Sequence, residues 1–190
     1  MKKFFCLHGL PRAGNTLLGS IINQNPKIAV TANSIIADML GELYTLQNTD
    51  IFKNFPDHKS FDNVTKSLIQ TYYKDWSQDY IIDRNPWGLP INLKFLKKVQ
   101  DEIKIIVLVR DVEEILASFV KWSKREPTSF VNRYAAKTVE EKCDMLMNKD
   151  GQIVKELIGV KHLLDHQPRD IYHIVEYNDL CDNPKQTIEG

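Results

Sequence analysis

The sequence predicts an α/β protein, with three α/β/α layers around a central parallel sheet of four to five strands, and three observations carry that prediction. Two apolar runs without polar alternation, Phe4 to Leu7 and Ile103 to Val109, read as strands covered on both faces. Helical apolar patterns lie between the runs, which implies right-handed βαβ crossovers. Two further strands, Tyr80-Ile81-Ile82 and Ile171 to Val175, end in polar residues, Asp83-Arg84 and Glu176-Tyr177. Arg110 likewise closes the run that ends at Val109, so functional side chains gather at the carboxyl edge, where sheets of this kind bind ligands.

The helices follow from spacing and stop signals. Asn15 to Gln24 carries Leu17, Leu18, Ile21 and Ile22 on one face and ends at Asn25-Pro26. Ser34 to Leu46, Phe61 to Trp76 and Pro90 to Val99 are further helices. Asp111 to Lys124 starts with Asp111 and Glu114 in capping-box spacing. Val139 to Leu164 has helical periodicity interrupted at Asn148-Lys149-Asp150-Gly151, which reads as two helices or one bent helix.

Composition narrows the function. The chain has 190 residues, 43% of them hydrophobic, which suffices for one core, and one domain over residues 1–190 is expected. Its 25 basic residues balance 25 acidic ones, so no long-range field favours nucleic acid or an anionic membrane, and the expected partner is a small ligand. Cys6, Cys143 and Cys181 are odd in number and widely spaced, without zinc-type clustering, which points to a reduced cytoplasmic protein and no metal site of that type. The apolar start is broken by His8, Arg12 and Asn15, short of a signal peptide or membrane span. At the other end, Asn183 to Gly190 reads as a helix just beginning at Pro184, so the domain is expected to be truncated at its C-terminus.

The most specific segment follows the first strand. His8-Gly9-Leu10-Pro11-Arg12-Ala13-Gly14-Asn15-Thr16 has the spacing of a Walker A loop, Gly9 and Gly14 bracketing four residues and Thr16 closing it, but Asn15 stands where the phosphate-binding Lys belongs. Strand, glycine loop and helix still present amides and a helix dipole to a phosphate. The cation has moved to Arg12, inside the loop, which suits a donor shorter than a triphosphate. The architecture is therefore expected to be P-loop NTPase-like.

Leu10 to Leu18 resembles the 5′-phosphosulfate loop of the sulfotransferase family, commonly Pro-Arg-Ser-Gly-Thr-Thr-Leu-Leu. The resemblance implies 3′-phosphoadenosine 5′-phosphosulfate (PAPS) as donor and no metal. It implies a donor site of Pro11, Arg12, Ala13, Gly14, Asn15, Thr16 and Leu17, with Arg12 steadying the bridging oxygen and the sulfuryl group. Ala13 and Asn15 depart from the common form. Arg110 at a strand end, with Ser118 about two helical turns on, resembles the family's 3′-phosphate clamp. A guanidinium suits that task because its fork bonds phosphate oxygens in two places; the alternative is an ion pair of Arg110 with Asp111 or Glu114. Glu176-Tyr177-Asn178-Asp179-Leu180 resembles the family's Tyr-Glu-Asp-Leu segment, with Tyr177 near the nucleotide or plugging the sheet edge.

On the acceptor side the sequence is less specific. Arg84 takes the place of the Lys or His that the family sets after this strand, unless it pairs with Asp83. Asp38, Glu42, His8 and Asp83 are candidates for the base, with Asp38 on a helix one turn beyond Thr31 to Ser34. A small-molecule, glycan or peptide acceptor with a hydroxyl or amine is implied. The competing functions are a P-loop nucleotide or small-molecule kinase, against which Asn15 speaks, and a catalytically incomplete nucleotide-binding domain. The family's late helix and basic glycine loop, which complete the 3′-phosphate site, are expected to be missing from this stretch of chain.

Overall fold

The computed structural model describes residues 2–133 and 136–189. In chain order the elements are β1 (Lys3–Gly9), α1 (Asn15–Ile22), β2 (Ile28–Val30), α2 (Ile36–Leu46), α3 (Asp50–Asn54), α4 (His58–Tyr72), β3 (Tyr80–Arg84), α5 (Pro90–Val99) and β4 (Ile105–Val109). They continue with α6 (Val112–Arg125), α7 (Phe130–Arg133), α8 (Val139–Met147), α9 (Gln152–His166), a 3₁₀ turn (Arg169–Ile171), β5 (Tyr172–Glu176), α10 (Tyr177–Asp182) and α11 (Pro184–Glu189).

The sheet has five strands in the order β2-β3-β1-β4-β5, and every pairing is parallel. The four expected strands are all present. The fifth, β2, is three residues long, too short to show any periodicity; it is fixed by pairing with β3 and by Asn23, whose Oδ1 accepts from the Val30 amide at 2.7 Å. Continuous apolar runs form the centre because β1 and β4 are covered on both faces: Leu7, Val107 and Leu108 are fully buried. The chain leaves β1 toward the β3 side and leaves β4 toward β5, so a crevice opens between them at the carboxyl edge.

Local chemistry explains the element boundaries. Asp111 caps α6, its Oδ1 accepting from the amides of Glu113 at 2.8 Å and Glu114 at 3.3 Å. The reciprocal half of the expected capping box does not form, since the Glu114 carboxylate turns to Arg110. A full box stands instead at the start of α8, between Thr138 and Glu141. The interrupted pattern from Val139 resolves into two helices, with Gly151 at the break, where a Cβ would stand 2.2 Å from the Leu146 carbonyl oxygen. No helix among the described residues is long and apolar enough to cross a membrane.

Candidate functional site

The loop between β1 and α1 is wound by two residues in the left-handed region, Arg12 at φ 63° and Gly14 at φ 96°. For arginine that conformation is uncommon and costs of order 1–3 kcal/mol. It is held from inside: the Ala13 amide donates to the Leu10 carbonyl at 3.1 Å, and Asn15 Nδ2 donates to the same oxygen at 2.8 Å. Asn15 is thus a lock on the loop, its side chain buried and turned to the Leu10 carbonyl. A Cβ on Gly9 would lie 1.8 Å from Asn15 Oδ1, so that glycine makes room for the lock. The first amides of α1, from Asn15 on, have no intrahelical acceptor and carry the positive end of the dipole.

Arg110, at the end of β4, spans three partners. Its Nη1 donates to the Arg12 carbonyl oxygen at 3.1 Å, its Nε pairs with Glu114 at 2.8 Å, and its guanidinium lies 3.9 Å from the centre of the Tyr177 ring. The ion pair with Glu114 and a place at the loop are therefore compatible. Tyr177 opens α10 and packs under the loop, where a Cβ on Gly14 would stand 2.5 Å from its ring. Arg12 reaches across the crevice to α6: Nε donates to Ser118 Oγ at 3.2 Å, and the guanidinium lies 5.7 Å from the Trp122 ring centre. Among the described residues no carboxylate is within ion-pair distance of Arg12.

These groups enclose a cavity of about 430 Å³. Of the positions singled out in the sequence, Pro11, Arg12, Gly14, Asn15, Thr16, Leu17, Arg84, Arg110, Ser118 and Tyr177 line it. Ala13 is fully buried beneath the loop. Asp38 does not join them, because α2 turns Ile36, Ala37 and Leu40 into the core and leaves Asp38 exposed on its outer side. The wall also contains Trp122 and Gln152, which the sequence reading missed. Trp122 had a signal, being four residues beyond Ser118 on the same helix face; Gln152 had none.

Arg84 lies between this cavity and a second cleft of about 220 Å³, and Pro11, Arg84 and Gln152 line both. Arg84 does not pair with Asp83. Its Nη1 donates to the Ala32 carbonyl at 2.8 Å, and burial lowers its pKa while the nearby Glu156 raises it. Asp83 is taken up in the core: it accepts from the Tyr73 hydroxyl, from Asn85 Nδ2 at 2.8 Å and from Trp87 Nε1 at 2.9 Å. That network fixes the end of β3 and leaves Asp83 outside both cavities as a candidate base.

His8 is fully buried between glycines, with Cβ positions at Gly88 and Gly159 both 2.8 Å from its ring. The close approach lets α9 bring Glu156 to β1. His8 Nε2 lies 3.2 Å from the Glu156 carbonyl oxygen and Nδ1 lies 3.4 Å from Glu156 Oε2. This is not an ion pair near neutrality, because burial lowers His8 to about 4 and raises Glu156 to about 7, against a lowering by Arg84.

The chain matches the family model described as the Sulfotransferase family over residues 5–190. No curated protein sequence matches it. Among solved structures it is similar to the sulfotransferase domain from the curacin biosynthetic pathway, at 15% identity and a TM-score of 0.66, covering 99% of this chain and 71% of that one. The sulfotransferase domain of the Synechococcus PCC 7002 olefin synthase gives 17% identity and a TM-score of 0.61, covering 99% of this chain and 70% of that one. Mouse sulfotransferase SULT7A1 complexed with PAP gives 17% identity and a TM-score of 0.58, covering 99% of this chain and 55% of that one.

Proposed function

This chain belongs to the sulfotransferase family, and from that premise we propose that it takes the sulfuryl group from PAPS bound along the Arg12 cavity. One observation carries the reading: Arg110 and Ser118 both contact Arg12, from a strand end and from the following helix. A donor phosphorylated at both the 5′ and 3′ positions needs two anion subsites a nucleoside apart. The loop amides and the start of α1 supply the first, and Arg110 with Ser118 supplies the second. Anion binding replaces the direct Arg12–Ser118 contact. Tyr177 positions Arg110 through its ring face.

Sulfuryl transfer concentrates negative charge on the sulfuryl oxygens and on the bridging oxygen that leaves. Arg12 meets the leaving side and Arg84 the acceptor side, so guanidinium groups fill the role that a metal plays in phosphoryl transfer. The acceptor is a small molecule or the end of a glycan or peptide. Three unpaired cysteines fit a cytoplasmic location. Thermal scanning with adenosine 3′,5′-bisphosphate and with ATP-Mg²⁺ tests the donor. A larger shift with the bisphosphate is expected; stabilisation by ATP-Mg²⁺ alone overturns the reading in favour of a kinase.

A further inference from the structure

We propose that the cleft walled by Arg84, Asn85, Gln152 and Glu156 is the acceptor subsite, that it takes a hydroxyl borne on a sugar ring or small polyol, and that Glu156 removes the hydroxyl proton. The inference rests on the sulfotransferase reading of the adjoining cavity.

Position comes first. The cleft and the donor cavity share Pro11, Arg84 and Gln152, so a hydroxyl in the cleft approaches the sulfuryl group across Arg84. The character of the walls sets the acceptor class. Asn33, Ser34, Asn85 and Gln152 offer amides and a hydroxyl, and among the described residues no aromatic side chain lines the cleft, which suits a polyhydroxylated group better than a phenol. The Arg84 charge repels an ammonium, which disfavours an amine.

Glu156 has the state and the freedom that a base needs. Its side chain is 18% exposed and lines the cleft; Oε2 is buried against His8 with no hydrogen-bond partner among the described residues, which leaves the other carboxylate oxygen to take the acceptor proton. The charged or titratable groups facing it are His8 from β1 and Arg84 from β3. With its proton on Nε2, toward the Glu156 carbonyl, His8 turns the bare Nδ1 to the carboxylate and gives it no hydrogen bond. Burial then keeps the carboxyl near pH 7, where it exchanges a proton readily. In the step, the acceptor proton passes to the Glu156 carboxylate as the acceptor oxygen bonds to sulfur. The sulfur–oxygen bond to the 5′-phosphate breaks, and its electron pair leaves with adenosine 3′,5′-bisphosphate.

The test compares wild type, Glu156→Gln and Glu156→Asp, using labelled PAPS with methyl glucoside, methyl galactoside, p-nitrophenol and hexylamine. A methyl glycoside is expected to be sulfated, with a rate rising through about pH 7. Glu156→Gln lowers kcat on the order of 100-fold, loses that acid limb and keeps its calorimetric affinity for adenosine 3′,5′-bisphosphate; Glu156→Asp keeps the limb. Independently of turnover, the His8 ring resonances follow a titration near pH 7 in wild type that vanishes in Glu156→Gln. Transfer confined to the phenol or the amine overturns the acceptor class, as does failure to sulfate either glycoside. An unchanged rate and pH profile in Glu156→Gln overturns the base, and so does a His8 titration that survives the substitution. Failure of wild type to bind the bisphosphate strikes the donor reading instead.

Discussion

The Arg110 guanidinium donates to the carbonyl oxygen of Arg12 at 3.1 Å, tying the end of β4 to the turn after β1 across the carboxyl edge of the sheet. The bond uses only the main chain of Arg12, and its side chain reaches across to Ser118 and Trp122. The main chain of Arg12 holds the site together while its guanidinium faces the cavity.

That division predicts the outcome of Arg12→Ala. Labelled sulfate transfer should fall on the order of 100- to 1000-fold, the scale of losing one preorganised charge donor. The melting temperature should hold or rise slightly, because the side chain is exposed and alanine occupies φ 63° no worse than arginine. Undiminished transfer in a folded variant would remove Arg12 from the chemistry.

Arg110→Ala acts differently, since in the proposed donor site its guanidinium reads the 3′-phosphate. Calorimetry should show a loss of about 1.5–3 kcal/mol for adenosine 3′,5′-bisphosphate and a much smaller loss for AMP. Equal losses for both nucleotides would mean that Arg110 does not read the 3′-phosphate.

Gly14→Ala tests the loop itself. The new Cβ would lie 2.5 Å from the Tyr177 ring at φ 96°, so either the loop or α10 must move. Denaturant titration should show a loss of about 1–3 kcal/mol, the cost of a strained backbone position, together with weaker bisphosphate binding. A variant of wild-type stability and affinity would contradict the packing of Tyr177 beneath the loop.

The His8–Glu156 pair makes opposite contributions to stability with pH. Glu156 is raised from 4.5 to about 7 on folding, so its stabilising effect is complete below 4.5 and is lost as pH rises to about 7. His8 is lowered from 6.5 to about 4, so its contribution grows over nearly the same window. The wild-type contribution of the pair is therefore nearly flat from pH 4.5 to 6.5, and Glu156→Gln should expose the rising limb of His8. Urea titrations at pH 5 and 9 should show the variant gaining on the order of 2–3 kcal/mol on wild type between them. An equal difference at both pH values would refute the shifted Glu156.

The sequence by itself determined four of the five strands, the glycine loop and the positions of Arg12 and Arg110 at the carboxyl edge. Two-sided burial writes β1 and β4 as unbroken apolar runs, and the loop's chemistry lies within nine consecutive residues from His8 to Thr16. Arg110 and Ser118 were legible because a strand end and the helix after it stay together whatever the rest of the chain does. Only the tertiary structure decided the far wall. Asp38 and Asp83 sit on elements that the sequence identifies, but which way each side chain points depends on the neighbours those elements pack against: α2 turns Asp38 outward, and Tyr73 and Trp87 draw Asp83 into the core. Glu156 carried no local signal at all. Its place beside His8 arises from the approach of α9 to β1, which small residues at 88 and 159 permit, and a contact across 148 residues leaves no periodicity in the chain.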